Sequence, residues 1–112
     1  MKGFLRNYVI SLLFLISANA LAAFENGNSI YEKLTSDNPM MRINAMGYIM
    51  GVVDATKSEP NKNIAYCLPS EITKRQINDI VKLFLEMYPE YRSWAGSDVV
   101  SISLAAKFSC QH

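Results

Sequence analysis

Histidine and cysteine are scarce in this sequence, and their scarcity argues against most catalytic and metal chemistry. The chain has one histidine, His112, and two cysteines among its 112 residues. A Cys–His nucleophile pair needs a free thiolate beside a positioned imidazole, and a zinc site needs clustered Cys and His ligands. Neither pattern is present, so the sequence predicts no metal, no cofactor and no enzymatic activity.

Phosphate-binding glycine loops and converging carboxylates are missing as well. The five glycines form neither a Walker nor a dinucleotide-binding pattern. The acidic residues are scattered, and no pair is predicted to meet at one site. Asp54 ends an apolar helix, and we expect it to be a buried or half-buried acid that makes a structural hydrogen bond.

The first 22 residues have the pattern of a secretory signal peptide. Lys2 and Arg6 precede an apolar run at residues 8–16, and small residues at 18–22 fit a cleavage site. An uncleaved membrane anchor is the weaker alternative, because the run is shorter than the about 20 residues that span a bilayer. The sequence therefore predicts a signal peptide at 1–22 and a single domain at 23–112 that is soluble in the periplasm or outside the cell.

No block of basic residues remains in the mature chain. The whole sequence has 11 basic and 10 acidic residues. Without Lys2 and Arg6, nine basic residues face ten acidic ones, which gives a net charge of −1. Nucleic acid is therefore not expected as a partner.

Apolar residues at helical spacing predict an all-α domain, a small bundle of four to five helices. The strongest pattern covers Thr73–Tyr88, where apolar residues recur on one face. Thr73 and Gln76 predict a capping box at its start, and Pro89 ends it. Ser97 is the expected cap of the last helix.

Two earlier helices are also predicted. Ser29 and Glu32 have the spacing of a capping box and would open a short first helix. Asn38 is a good cap for a second helix over Met40–Thr56, and Pro39 suits its first position.

Gly47 and Gly51 lie four residues apart within the second predicted helix. A helical glycine costs up to about 1 kcal/mol relative to alanine, so we expect a compensating role in close helix–helix packing. Membrane dimerisation through such a pair does not fit a segment that carries Arg42 and Asp54.

Cys67 and Cys110 bracket the last two predicted helices. In a small exported domain two cysteines favour a disulfide, and a bridge over this separation would contribute roughly 4 kcal/mol. Two buried free thiols are the alternative.

Two segments are candidate partner-binding surfaces. The first is the polar loop 57–63 between two strong helices, and a solvated connector is the alternative. The second is the turn Tyr88–Trp94, because Tyr, Trp and Arg are common at interface hot spots; Trp94 could instead belong to the core. The candidate contact residues are Lys57, Ser58, Glu59, Asn61, Lys62, Tyr91, Arg92 and Trp94.

Several short motifs follow one another in a recognisable order behind the signal peptide. They are Gly47-Tyr48-Ile49-Met50-Gly51-Val52-Val53-Asp54-Ala55, Cys67-Leu68-Pro69 with Thr73 and Gln76, Tyr88-Pro89-Glu90, and Phe108-Ser109-Cys110. In this order and spacing, from about Met41 to Cys110, the chain resembles the Tai (type VI amidase immunity) family of periplasmic immunity proteins.

This resemblance implies a small, all-helical, disulfide-bonded and usually dimeric protein. Members of the family bind a peptidoglycan amidase that is delivered into the periplasm, and they block its active-site cleft. We therefore expect a cognate amidase effector and a second copy of the chain as partners. The alternatives are a small periplasmic chaperone or stress protein and an accessory subunit of an envelope complex. An acid-triggered chaperone would be unusual, since a single histidine leaves little to titrate near pH 6.

Overall fold

The computed structural model describes residues 24–57 and 64–110, and within these ranges the chain is all-helical. The predicted signal peptide, residues 58–63 of the predicted binding loop and His112 lie outside them. Four α-helices and one 3₁₀ helix are present and no strand is found in the described ranges, which confirms the predicted fold class. The elements are α1 Gly27–Leu34, α2 Pro39–Thr56, α3 Lys74–Met87, the 3₁₀ helix Pro89–Ser93, and α4 Gly96–Lys107.

The predicted caps of α2 and α3 are confirmed. The Asn38 side chain accepts a hydrogen bond from the Met40 N–H at 3.0 Å, and Pro39 occupies the first turn. At the start of α3, the Thr73 hydroxyl accepts from the Gln76 N–H, while the Gln76 side chain accepts from the Thr73 N–H at 2.8 Å. These two pairs satisfy backbone donors that have no partner inside a helix.

The predicted start of α1 is wrong. Asn26, rather than Ser29, is the cap, and its side chain accepts from the Ser29 N–H at 2.9 Å. The Ser29 hydroxyl oxygen accepts a hydrogen bond from the Asn26 N–H at 2.9 Å. Ser29 therefore has the role in the capping box that was predicted for Glu32. The helix begins earlier because Asn26 is itself a strong cap with a polar partner three residues later.

The predicted cap of α4 is also wrong. Ser97 lies inside the helix, and the capping residue is Ala95, which has no side-chain bond to offer. The Gly96 N–H instead donates to the carbonyl oxygen of Glu25 at 2.9 Å. A backbone group from the other end of the domain thus caps this helix.

The core lies where the helices meet: α1 packs on α2, α3 on α4, and α2 on α4. Most of the predicted stripe of α3 is buried, but Tyr88 at its end is 41% exposed. The fully buried hydrophobic side chains are Ile30, Ile49, Val81, Leu85, Val99, Val100 and Leu104.

The predicted disulfide between Cys67 and Cys110 is confirmed, with Cα atoms 5.0 Å apart across 43 positions of sequence. The Cys67 N–H also donates to the Phe108 carbonyl oxygen at 2.8 Å. Together these links fasten the segment before α3 to the end of α4.

One expectation about α2 is wrong, and another has no partner among the described residues. No atom of the described residues lies within 4 Å of a Cβ built on Gly47 or Gly51, so the predicted packing partner is not found among them. Asp54 is exposed rather than buried, and its carboxylate lies 3.3 Å from the Lys57 ammonium. Asp54 follows an apolar run in the sequence, but it lies on the outer side of the helix, so the run does not lead to its burial.

Candidate functional site

The turn between α3 and α4 presents aromatic side chains in a fixed arrangement. The chain leaves α3 at Tyr88, and the 3₁₀ helix is held by hydrogen bonds from Tyr91 N–H to Tyr88 O at 3.1 Å and from Trp94 N–H to Tyr91 O at 3.0 Å. We call Tyr88–Trp94 the aromatic turn. It is one of the two partner-binding surfaces predicted from the sequence.

The rings of the aromatic turn form a continuous row that runs from the core to the surface. Buried Phe84 lies 5.0 Å, between ring centroids, from both Tyr88 and Tyr91. Tyr91 in turn lies 4.6 Å from Trp94 in an edge arrangement. Tyr88 and Trp94 are each 41% exposed, so Trp94 is not a core residue. Such ring pairs are favourable beyond their buried area and limit the freedom of the exposed rings.

Arg92 uses its side chain inside the chain. Its guanidinium carbon lies 4.1 Å from the centre of the Tyr31 ring, and its Nε donates to the Leu85 carbonyl oxygen at 3.0 Å. The first contact is a cation–π interaction, and the second satisfies a carbonyl near the C-terminal end of α3. The residue therefore fastens the aromatic turn to α1 and α3.

The N-terminal segment holds the other side of the turn. The Gly27 N–H donates to the Trp94 carbonyl oxygen at 3.0 Å, and Asn26 and Ala95 form an isolated antiparallel bridge. A Cβ on Gly96 would lie 2.6 Å from the Tyr48 hydroxyl oxygen. A side chain at the junction between the aromatic turn and α4 would have to displace the Tyr48 ring and would also lie 3.0 Å from the Glu25 carbonyl oxygen, so glycine fits best there.

Glu25 is a charged residue in the N-terminal segment that contacts the aromatic turn and α4. Its carboxylate accepts from the Ser29 hydroxyl at 2.6 Å and pairs with the Lys33 ammonium. Burial alone would raise the pKa of Glu25, but the hydrogen bonds from Lys33 and Ser29 and the Lys33 charge lower it below 4.5. Burial raises the pKa of the nearby Tyr48 hydroxyl, and the negative charges of Glu25 and Asp98 add to this rise.

An open groove between α3 and α4 continues the exposed surface away from the aromatic turn. Its volume is about 380 Å³. Leu83 and Met87 on its edge are 54% and 59% exposed. The sequence analysis did not identify either residue as part of a binding surface. Both are apolar residues off the main stripe of α3, and this pattern could have identified them. The lining residues are Asp79, Ile80, Leu83, Phe84, Met87, Tyr88, Ser103, Ala106 and Lys107.

The second predicted partner-binding surface is the loop 57–63, and the structure describes only its first residue. Lys57 is exposed at the end of α2. The other candidate contacts in this loop, Ser58, Glu59, Asn61 and Lys62, lie outside the described residues.

The described surface was searched for metal-binding groups and for helices that could cross a membrane. Within residues 24–57 and 64–110, no three His, Cys, Asp or Glu side chains are grouped so that they could hold a metal ion. In the same ranges, no helix combines the length and apolar character needed to cross a membrane. Exposed aromatic and aliphatic side chains on a fixed backbone bind a protein surface by burying apolar area.

Comparison with known proteins gives one result. The family model of the Rap1a immunity proteins matches residues 18–110, a range that contains all four α-helices, both cysteines and the aromatic turn. Neither the curated proteins nor the solved structures include a significant match. Because the match covers most of the sequence, the chain belongs to the Rap1a immunity protein family.

Proposed function

We propose that this immunity protein acts in the periplasm, where it binds and inhibits a peptidoglycan amidase effector delivered by a type VI secretion system. The signal-peptide pattern at residues 1–22 supports export, and the motifs that resemble the Tai family support an amidase as the target. The protein would protect its cell from amidase made by itself or its kin. It acts by binding and has no catalytic step of its own, and its functional form is a homodimer.

The observation that carries this proposal is the exposed aromatic turn on an ordered scaffold. Tyr88 and Trp94 are exposed, yet their backbone is fastened to α1, α3 and the N-terminal segment. Large aromatic side chains contribute most of the energy in many protein interfaces. Because the scaffold already holds them, little conformational entropy is lost on binding.

The loop 57–63 is the second contact in this proposal. It is the segment that we expect to enter the active-site cleft of the amidase. The Cys67–Cys110 disulfide and the burial of Tyr66 hold the chain a few residues after it. Changes of charge and bulk at Ser58, Glu59 and Asn61 that leave the affinity for the amidase unchanged would remove the loop from the proposal.

The test uses the mature chain, residues 23–112, as bait in a pull-down from periplasm, followed by an assay of peptidoglycan hydrolysis by the captured enzyme. We expect one amidase to be captured and its activity to be lost at about equal molar amounts. Capture of several unrelated proteins at low pH would favour a chaperone instead. Capture of an amidase that stays active would contradict inhibition.

A further inference from the structure

The Arg92 guanidinium is held in one place by contacts at its Nε, at its flat face and at its backbone. The Nε donates to the Leu85 carbonyl oxygen at 3.0 Å, and the guanidinium carbon lies 4.1 Å from the centre of the Tyr31 ring. The backbone of Arg92 packs closely against Gly27. The side chain therefore has little rotamer freedom left to lose when a partner binds.

These contacts use only part of the guanidinium. Arginine carries N–H donors on all three of its side-chain nitrogens, and the bond to Leu85 uses the donor on Nε. Among the described residues, neither terminal nitrogen of Arg92 has a hydrogen-bond partner, and the one buried side-chain nitrogen or oxygen without a partner is the Asn78 oxygen. The terminal nitrogens of Arg92 are therefore reached by solvent and are available to another molecule.

The charge of Arg92 is not neutralised by a carboxylate of the described chain. Both ion pairs found within residues 24–57 and 64–110 are formed by lysines. Glu90, in the same 3₁₀ helix, is exposed and is not paired with Arg92. A fixed guanidinium without a counter-charge can accept an anion, and its planar fork fits a carboxylate through parallel N–H···O bonds.

We infer that Arg92 binds a carboxylate of the effector, an aspartate or glutamate side chain that lies among apolar residues of the amidase surface. The inference rests on the proposed function and names the chemical group that the aromatic turn recognises. Exposed Tyr88 and Trp94 belong to the same turn, so apolar residues of the partner packed on them would exclude water from the ion pair. A phosphate-rich partner does not fit, because Arg92 is the one basic residue in 83–106 and Glu90 adds negative charge.

The first test needs no amidase. The mature chain is treated with phenylglyoxal, which adds to the terminal nitrogens of accessible arginines, and the modified peptides are identified by mass spectrometry. We expect Arg92 to react in the free chain, as the exposed control Arg75 does. An unreactive Arg92 would show that its donors are not available and would overturn the inference, whatever the chain inhibits.

The second test is a double-mutant cycle between Arg92→Gln and amidase variants in which one surface Asp or Glu is replaced by Asn or Gln. One amidase variant should bind the wild-type chain about tenfold more weakly, yet bind Arg92→Gln as the unchanged amidase does, because the energy of a coupled pair is lost only once. Arg92→Lys, which keeps the charge without the planar fork, should restore only part of the affinity. The matched control, Arg75→Gln, should bind as the wild type does.

The cycle separates a direct contact from a positioning role. Helical circular dichroism and the emission of Trp94, the single tryptophan of the chain, show whether each variant keeps the fold and the aromatic turn. A loss of affinity in Arg92→Gln that is the same against every amidase variant would mean that Arg92 only positions the turn, and it would overturn the inference.

The outcomes also distinguish this inference from the proposed function. A chain that inhibits the amidase without any coupling at Arg92 rejects the inference only. A captured partner that is not an amidase, but that has a carboxylate coupled to Arg92, rejects the proposed function only.

Discussion

Gly27 packs directly against Arg92, so closely that a Cβ on Gly27 would lie 2.5 Å from the Arg92 Cα atom and 2.6 Å from the Tyr91 carbonyl oxygen. The first turn of α1 and the aromatic turn thus touch backbone to backbone. This contact joins the N-terminal segment to the surface that we propose for binding the effector.

The first prediction concerns this contact. Gly27→Ala should lower the free energy of unfolding by about 1–3 kcal/mol, because the added methyl group meets backbone atoms that cannot rotate away. The measurement is urea denaturation followed by circular dichroism. The control is Asn28→Ala, at an exposed position in the same turn, which should stay within about 0.5 kcal/mol of the wild type. Equal stability of the Gly27→Ala chain and the wild type would show that the contact is looser than described.

The second prediction concerns the disulfide. Replacing both Cys67 and Cys110 with serine should lower the free energy of unfolding by roughly 4 kcal/mol, because the bridge closes a loop of 43 positions and limits the unfolded chain. Urea midpoints of the wild type and the variant, each with and without reductant, provide the measurement. Reductant should lower the midpoint of the wild type alone. An unchanged midpoint on reduction would contradict the proposed stabilisation.

The third prediction concerns acid stability. The pKa of Glu25 is lower in the folded chain than its ordinary value of 4.5, so the unfolded state binds a proton first as the pH falls. The contribution of Glu25 is fully present above that ordinary value and is lost as the pH falls through the folded pKa. Glu25→Gln should therefore be less stable than the wild type at pH 7, and this difference should shrink on acidification below pH 4.5. Thermal unfolding at a series of pH values tests this, and a difference that grows towards low pH would contradict it.

The fourth prediction concerns a buried amide in α3. Asn78 is 4% exposed, and its side-chain oxygen has no hydrogen-bond partner among the described residues. Its N–H₂ group donates to the Lys74 carbonyl oxygen at 2.7 Å. Asn78→Leu removes an unsatisfied buried acceptor and adds apolar area, so we expect the unfolding temperature to stay equal or rise. Asn78→Asp, which buries a charge, should lower it. A clear loss of stability in Asn78→Leu would indicate that the amide has a partner.

The architecture of α3 could be predicted from sequence because its determinants are local. The apolar stripe, the Thr73–Gln76 capping box and the stop at Pro89 all act within a few residues of the helix. The disulfide could be predicted because only two cysteines are present.

Features that depend on distant parts of the chain could not be predicted in the same way. The start of α4 is capped by the Glu25 carbonyl oxygen, which is distant in sequence. The local pattern therefore favours Ser97 as the cap. The exposure of Gly47 and Gly51 depends on which face of α2 the other helices cover. The exposure of Leu83 and Met87 has the same origin, since their neighbours across the groove come from α4.

The fifth prediction tests the central claim, that the protein inhibits a peptidoglycan amidase by binding it through the exposed aromatic turn. The measurement is the inhibition constant of the mature chain against the captured amidase, compared with Tyr88→Ala, Trp94→Ala and the control Met41→Ala, a side chain of similar exposure on α2. We predict inhibition by the wild type and Met41→Ala, and a loss of at least tenfold in each aromatic variant while circular dichroism shows that the helical fold is retained, as expected for interface anchors. Equal inhibition by all four proteins would contradict the account.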